Sequence, residues 1–201
     1  MRKKVSAFVA LFAAAFMLVP SAAVFAATST NLSQVINQGL QSMDIVDGSG
    51  VSIASPAVTF AALPFSFTCQ TNTATFGDAS QKVAIKNERK AQVSLTMAGS
   101  GTWTNGTDTY NYNDGTTSGC ATGQLSVSGG TFTKTAGANT PTNTLPGGAF
   151  SGATPVTMFA TSGTKYAWDG ELAGYTLTQK VPAEQADGTY TLGMTLTAVF
   201  N

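Results

Sequence analysis

The chain contains no histidine. That removes the commonest general base and every nucleophile arrangement built on an imidazole. Charge is scarce as well, with ten Lys and Arg against ten Asp and Glu in 201 residues. Beyond the first four residues, the one basic cluster is KNERK, where Lys86, Arg89 and Lys90 surround Glu88. Nucleic-acid binding depends on clustered cations that release counterions, so no nucleic-acid partner is expected and KNERK reads as a solvated turn. Cysteine is limited to Cys69 and Cys120. With no imidazole and no second cysteine pair, a four-coordinate zinc site lacks its ligands.

What is present begins with MRKKVSAFVALFAAAFMLVPSAAVFA. Arg2, Lys3 and Lys4 precede an apolar run from Val5 to Val19, and Val24 and Ala26 occupy the minus-three and minus-one positions of a cleavage site. This is the order of a secretory signal peptide over residues 1–26, and its apolar run is shorter than the roughly 20 residues that span a bilayer. No Cys follows it to carry a lipid, so the mature chain is expected to start near Ala27 and to be secreted, extracellular or at the cell surface, without a membrane span. Cleavage removes three basic residues, leaving seven against ten acidic ones and a formal charge of minus three. In an oxidising compartment Cys69 and Cys120 are expected to form one intramolecular disulfide. In the chain-entropy picture a loop of that size contributes about 4 kcal/mol.

The hydrophobic fraction of 43% argues against disorder, and few charges among many Thr, Ser, Gly and Ala suit an extracellular all-β protein. Period-two runs bounded by turn residues recur: MDIVD, VSIASPAVTF, PFSFTC, QKVAIKN, AQVSLTMA, TYNY, GQLSVS, TFTK, PVTMFA, GYTLTQKV and GTYTLGMTLTAVF. Eleven such strands predict a sandwich or barrel. The disulfide favours a single antiparallel β-sandwich, immunoglobulin-like or pilin-like, over residues 48–201. Residues 27–47 precede it as an N-terminal arm or first strand. Within NLSQVINQGLQSM, Leu32, Val35, Ile36 and Leu40 have helical spacing, but Gly39 and the adjoining MDIVD oppose a helix. GANTPTNTLPGGAFSGATP reads as a long covering loop. Its Leu145-Pro146 lies mid-chain, whereas a sortase signal sits near a C-terminus.

Three residue groups are candidates for chemistry or binding. Asp169 and Glu171, two apart on an extended strand, share a face as a glycosidase pair would. The bland reading is a strand surface, with Gly170 hinting at a turn. Asp108, Asn111, Asn113 and Asp114 in DTYNYNDGTTSG offer hard oxygen ligands for structural calcium, though Asn, Asp and Gly also fill turns for conformational reasons and the EF-hand spacing is absent. Trp103, Tyr110, Tyr112 and Trp168 are candidate glycan-binding aromatics, against the alternative that they belong to the core or rim.

In KVPAEQADGTYTLGMTLTAVFN, Pro182 and Glu184 break the preceding strand and Asp187-Gly188 turns the chain. Tyr190, Leu192, Met194, Leu196, Ala198 and Phe200 then alternate with Thr and Gly. This hairpin resembles the end of WxL-type surface proteins of Gram-positive bacteria. Tyr190, Met194 and Thr195 fall on that pattern, while Leu196 stands where Trp belongs and Ala198 where Leu belongs. The resemblance covers roughly the last 25 residues and implies a bacterial surface β-sandwich. The family's peptidoglycan attachment goes with the Trp-containing motif and is not carried over.

The expected protein is a non-catalytic, secreted structural or adhesion protein of a bacterial surface. With no membrane span, sortase signal or lipid site after Phe200, it is released or held without a covalent anchor. Its partner is either a cell-wall glycan, through the aromatics, or a second copy of itself. In the second case the arm, with Leu32, Val35, Ile36, Leu40 and Met43, adds as a strand to the next subunit. The simpler alternative is that this segment pairs with its own sheet.

Overall fold

The computed structural model describes residues 34–116 and 118–201. The signal peptide and the start of the arm lie outside them. The chain divides into residues 1–37 and 38–201. Of the first unit, residues 34–37 are described; they are irregular, with Val35 and Ile36 87% and 84% exposed.

The second unit is a two-sheet antiparallel sandwich of eleven strands: β1 (Gln41–Val46), β2 (Gln70–Phe76), β3 (Lys82–Asn87), β4 (Val93–Thr104), β5 (Thr109–Tyr110), β6 (Gln124–Ala136), β7 (Thr142–Thr144), β8 (Gly148–Ala149), β9 (Val156–Ser162), β10 (Trp168–Val181) and β11 (Thr191–Phe200). One sheet runs β1-β3-β10-β6-β8, with β2 also on β10. The other runs β11-β4-β9-β7, with β5 on β4. The all-β expectation holds, and Cys69 and Cys120 form the predicted disulfide, with Cα atoms 5.7 Å apart. Both cysteines sit in connections, before β2 and between β5 and β6, not on the strands themselves.

Alternation sets the core. Val83 and Ile85 of β3 and Val93, Leu95 and Met97 of β4 are all buried in one shared core. On β10 the inward phase runs Trp168, Gly170, Leu172 and then shifts by one to Tyr175, Leu177, Gln179. The shift falls at Gly174, whose φ of +73° is available to glycine at little cost.

Several segments differ from the sequence reading. Residues 51–69, expected to hold two strands, are irregular apart from a bridge between Ser52 and Val46. Pro56 and Pro64 remove ladder donors there, and Val58 and Phe60 pack on the edge of the core without a strand partner. QTNTATF, not expected as a strand, is β2; its Thr71, Thr73 and Thr75 suit a strand but it has no apolar face to betray it. GQLSVS and TFTK merge into β6, and the covering loop contains β7 and β8. Gly170 turns nothing: β10 passes straight through it, with a register shift beside it. Residues 34–40 are not helical, and β1 pairs with β3 of its own sheet from Gln41 onward.

Candidate functional site: an aromatic groove and an unpaired edge

At the end of the sandwich where β10 and β11 connect, residues 57–66, the start of β2 and the 182–191 connection enclose a groove of about 570 Å³. Its floor is aromatic. Trp103 on β4 stacks on Tyr110 of β5, with ring centres 5.9 Å apart and planes at 15°. Phe60 meets Trp103 edge-on at 5.8 Å, and Tyr190 tilts against Tyr110 at 5.1 Å. All four side chains are half-buried.

Polar side chains fix this floor and its walls. Gln179 is 2% exposed, and its Oε1 accepts from Trp103 Nε1 at 2.8 Å, a bond that crosses from one sheet to the other. The Gln179 amide nitrogen donates to the Lys180 carbonyl at 2.7 Å. Tyr190 accepts from Gln185 Nε2 at 2.8 Å and donates to the Ala186 carbonyl at 3.0 Å. Asn72 donates to the Ala61 carbonyl at 2.6 Å, pinning one wall to β2. The Glu184 N–H donates to the Ser66 carbonyl at 2.8 Å and joins the two walls. Glu184 does this at φ 57°, a left-handed conformation that costs a non-glycine residue on the order of 1 kcal/mol. Burial, with Tyr190 adding to it, pushes the Tyr110 phenol up to about 12.

Of the four aromatics singled out in the sequence, this groove brings together Trp103 and Tyr110. Tyr112 and Trp168 are core residues, 6% and 2% exposed. Tyr112 donates to the Gly99 carbonyl at 3.0 Å and packs edge-on to Phe150, while Trp168 lies among Phe132 and Phe159. Phe60, Tyr190 and Gln179 were missed. Gln179 had a signal, because it continues the inward phase of Tyr175 and Leu177, where a polar side chain must find a buried partner.

The oxygen-rich stretch does not gather around one point through its carboxylates. Asp114 accepts the N–H groups of Thr116 and Thr122, each at 2.9 Å, and these bonds hold its carboxyl below the usual range. Its acidity is used to close the 114–122 loop. Asp108 accepts from Asn105 Nδ2 at 3.4 Å, and Asn113 donates to the Gly152 carbonyl at 2.6 Å. Asn111 is held by its backbone N–H on the Thr122 carbonyl at 2.7 Å. Among the described residues no three Asp, Glu or Cys side chains cluster as a metal cage. Glu171 pairs with Lys82 at 2.9 Å across β10 and β3, and Asp169 shares its outward phase.

The chain matches no protein-family model, no curated protein and no solved structure.

The second feature is the outer edge of β11. This ten-residue strand pairs with β4 along one side, and among the described residues no strand is hydrogen-bonded to the other. TLGMTLTAVF carries no charge and no proline. Its inward residues Leu192, Met194, Leu196, Ala198 and Phe200 pack on the core yet remain only half-buried; among the described residues no strand pairs with the outer side of β11, and β1 of the other sheet comes near it. Of the other edges, β7 and β8 span three and two residues and β1 carries Asp44, while β2, seven uncharged residues paired only with β10, has the 57–66 segment alongside it through Asn72, which donates to the Ala61 carbonyl.

Proposed function

We propose that this chain is a non-catalytic, secreted surface protein that assembles by strand addition, the outer edge of β11 accepting the N-terminal segment of a second copy. The single observation behind this reading is the uncharged ten-residue edge with a half-covered apolar stripe beneath it. Soluble proteins usually blunt such an edge with charge, proline or brevity. The leader sequence supports export, and the resemblance of the C-terminal hairpin supports a bacterial surface.

The segment from Ala27 to Leu40 is equally free of charge. Val35, Ile36 and Leu40 are exposed. β1 begins beside Asn87 and β11 ends beside Val93, so the segment is tethered at the end of the sandwich where β11 finishes. Folded back along its own β11, it would have to run parallel to that strand. Donated to another copy, it can run antiparallel, the direction β4 already uses and the slightly more stable one per residue.

The test is light scattering after size exclusion, with negative-stain microscopy, on the chain from Ala27 and on one beginning at Gln38. The deletion stops there because residues 41–46 are a strand of the sandwich itself. Polymers from the longer chain and monomers from the shorter are expected. Monomers from both would end the proposal.

A further inference from the structure

We propose that the aromatic groove is a binding site for a neutral oligosaccharide, independent of assembly through β11. Four observations carry this. First, at about 570 Å³ the groove falls within the roughly 300–1,000 Å³ of ligand sites. Second, among its lining residues only Asp187 is charged, so neither a phosphate nor an acidic chain finds a cation there.

Third, the lining combines aromatic rings with neutral amide and hydroxyl groups, Asn72, Gln185 and Thr189 among them. A sugar ring presents the same duality, with C–H faces for aromatic surfaces and hydroxyls for amides. Fourth, the site is built in advance. The bonds from Trp103 to Gln179, from Gln185 to Tyr190 and from Asn72 to Ala61 hold floor and walls without a ligand, and preorganisation lowers the entropic cost of binding. The strained Glu184 sits where the walls meet. Leu63 and Phe65 on the wall are 38% and 59% exposed, apolar surface that the core does not use.

The molecule contains its own reporter. Of its two tryptophans, Trp168 is buried at 2% exposure, so changes in solvent access are read from Trp103. The chain from Ala27 is titrated with cellohexaose, chitohexaose and, as an acidic control, polygalacturonate, following acrylamide quenching of tryptophan fluorescence and calorimetric heat. A neutral hexasaccharide is expected to protect Trp103 and release heat, and polygalacturonate to do neither. Tyr110→Ala is expected to weaken binding about tenfold or more. Should that variant unfold, Phe65→Ser alters an exposed wall residue outside the core and is expected to weaken binding in the same direction.

The proposal is overturned if neither neutral hexasaccharide protects Trp103 at millimolar concentration. It is also overturned if a synthetic peptide of residues 27–40, or an apolar dye, fills the groove and the sugars do not displace it. The variant beginning at Gln38 retains the groove, so loss of assembly and loss of sugar binding are separable results.

Discussion

Tyr110 and Tyr175 hold their protons more tightly than a free phenol, for the same reason in different places. Burial comes first in both, and Tyr190 adds to it at Tyr110, which reaches about 12. In the unfolded chain both titrate near pH 10. Above that pH the unfolded state sheds protons that the folded state keeps, so the equilibrium moves toward unfolding. The stabilisation is therefore complete below pH 10 and is lost as pH climbs toward about 12. Phenolate absorbance should show Tyr110 and Tyr175 titrating late, and the denaturant midpoint should fall across the same window. A titration with no late-ionising phenol would contradict the packing described for these two rings. At this scale the sequence was only partly legible. Trp103 and Tyr110 were found as an aromatic pair, but Tyr112 and Trp168 read the same way and proved to be core. Aromatic composition does not say which face of a strand a ring occupies relative to a phase shift such as that at Gly174. Phase was the better guide. Gln179 and Asn87 both interrupt an inward apolar series, and both are buried with hydrogen-bond partners, Asn87 accepting from the Ala91 N–H at 3.0 Å and donating to its carbonyl at 2.7 Å.

Among the elements, β11 was the most legible and also the least completely predicted. Its alternation specified one apolar face, and that face lies on the core. Alternation cannot specify whether a neighbour stands on each side, and burial stops half-way, with no strand paired to one side among the described residues. Thr195 and Thr197 point outward on this strand and are exposed. Replacing both with Lys puts two charges on the edge without entering the core. The double variant should keep its thermal stability within about 0.5 kcal/mol, as surface substitutions usually do, while abolishing polymers seen by light scattering. Persistence of polymers would place the contact elsewhere. The irregular 51–69 segment was misread for a related reason. Val58 and Phe60 do alternate, but toward a groove and the margin of the core, with prolines where a ladder would need donors.

For the whole molecule, the two-sheet architecture and the Cys69–Cys120 bond were both legible, because recurring alternation and a lone cysteine pair leave few arrangements. Strand order was not, since it depends on contacts between segments far apart in sequence. The disulfide closes a loop of 51 residues that contains β2, β3, β4 and β5, strands drawn from both sheets. Cross-linking that loop should contribute about 4 kcal/mol by restricting the unfolded chain. Denaturant unfolding with and without a reductant measures it directly, and an unchanged midpoint would show that the unfolded state is already constrained in some other way.

The pairing of β4 with β11 carries a consequence in time. Thr96 and Thr197 meet across 101 residues, and β4 is the inner strand of its sheet. During synthesis from the N-terminus, β4 emerges long before its partner β11 exists. Until the last strand arrives, Val93, Leu95 and Met97 have no complete sheet to hold them over the core, and the edge that β11 will occupy is open to any other chain nearby. Folding is therefore governed by a non-local closure, the slow kind. The vulnerable interval for this protein is the one between the appearance of its fourth strand and its eleventh.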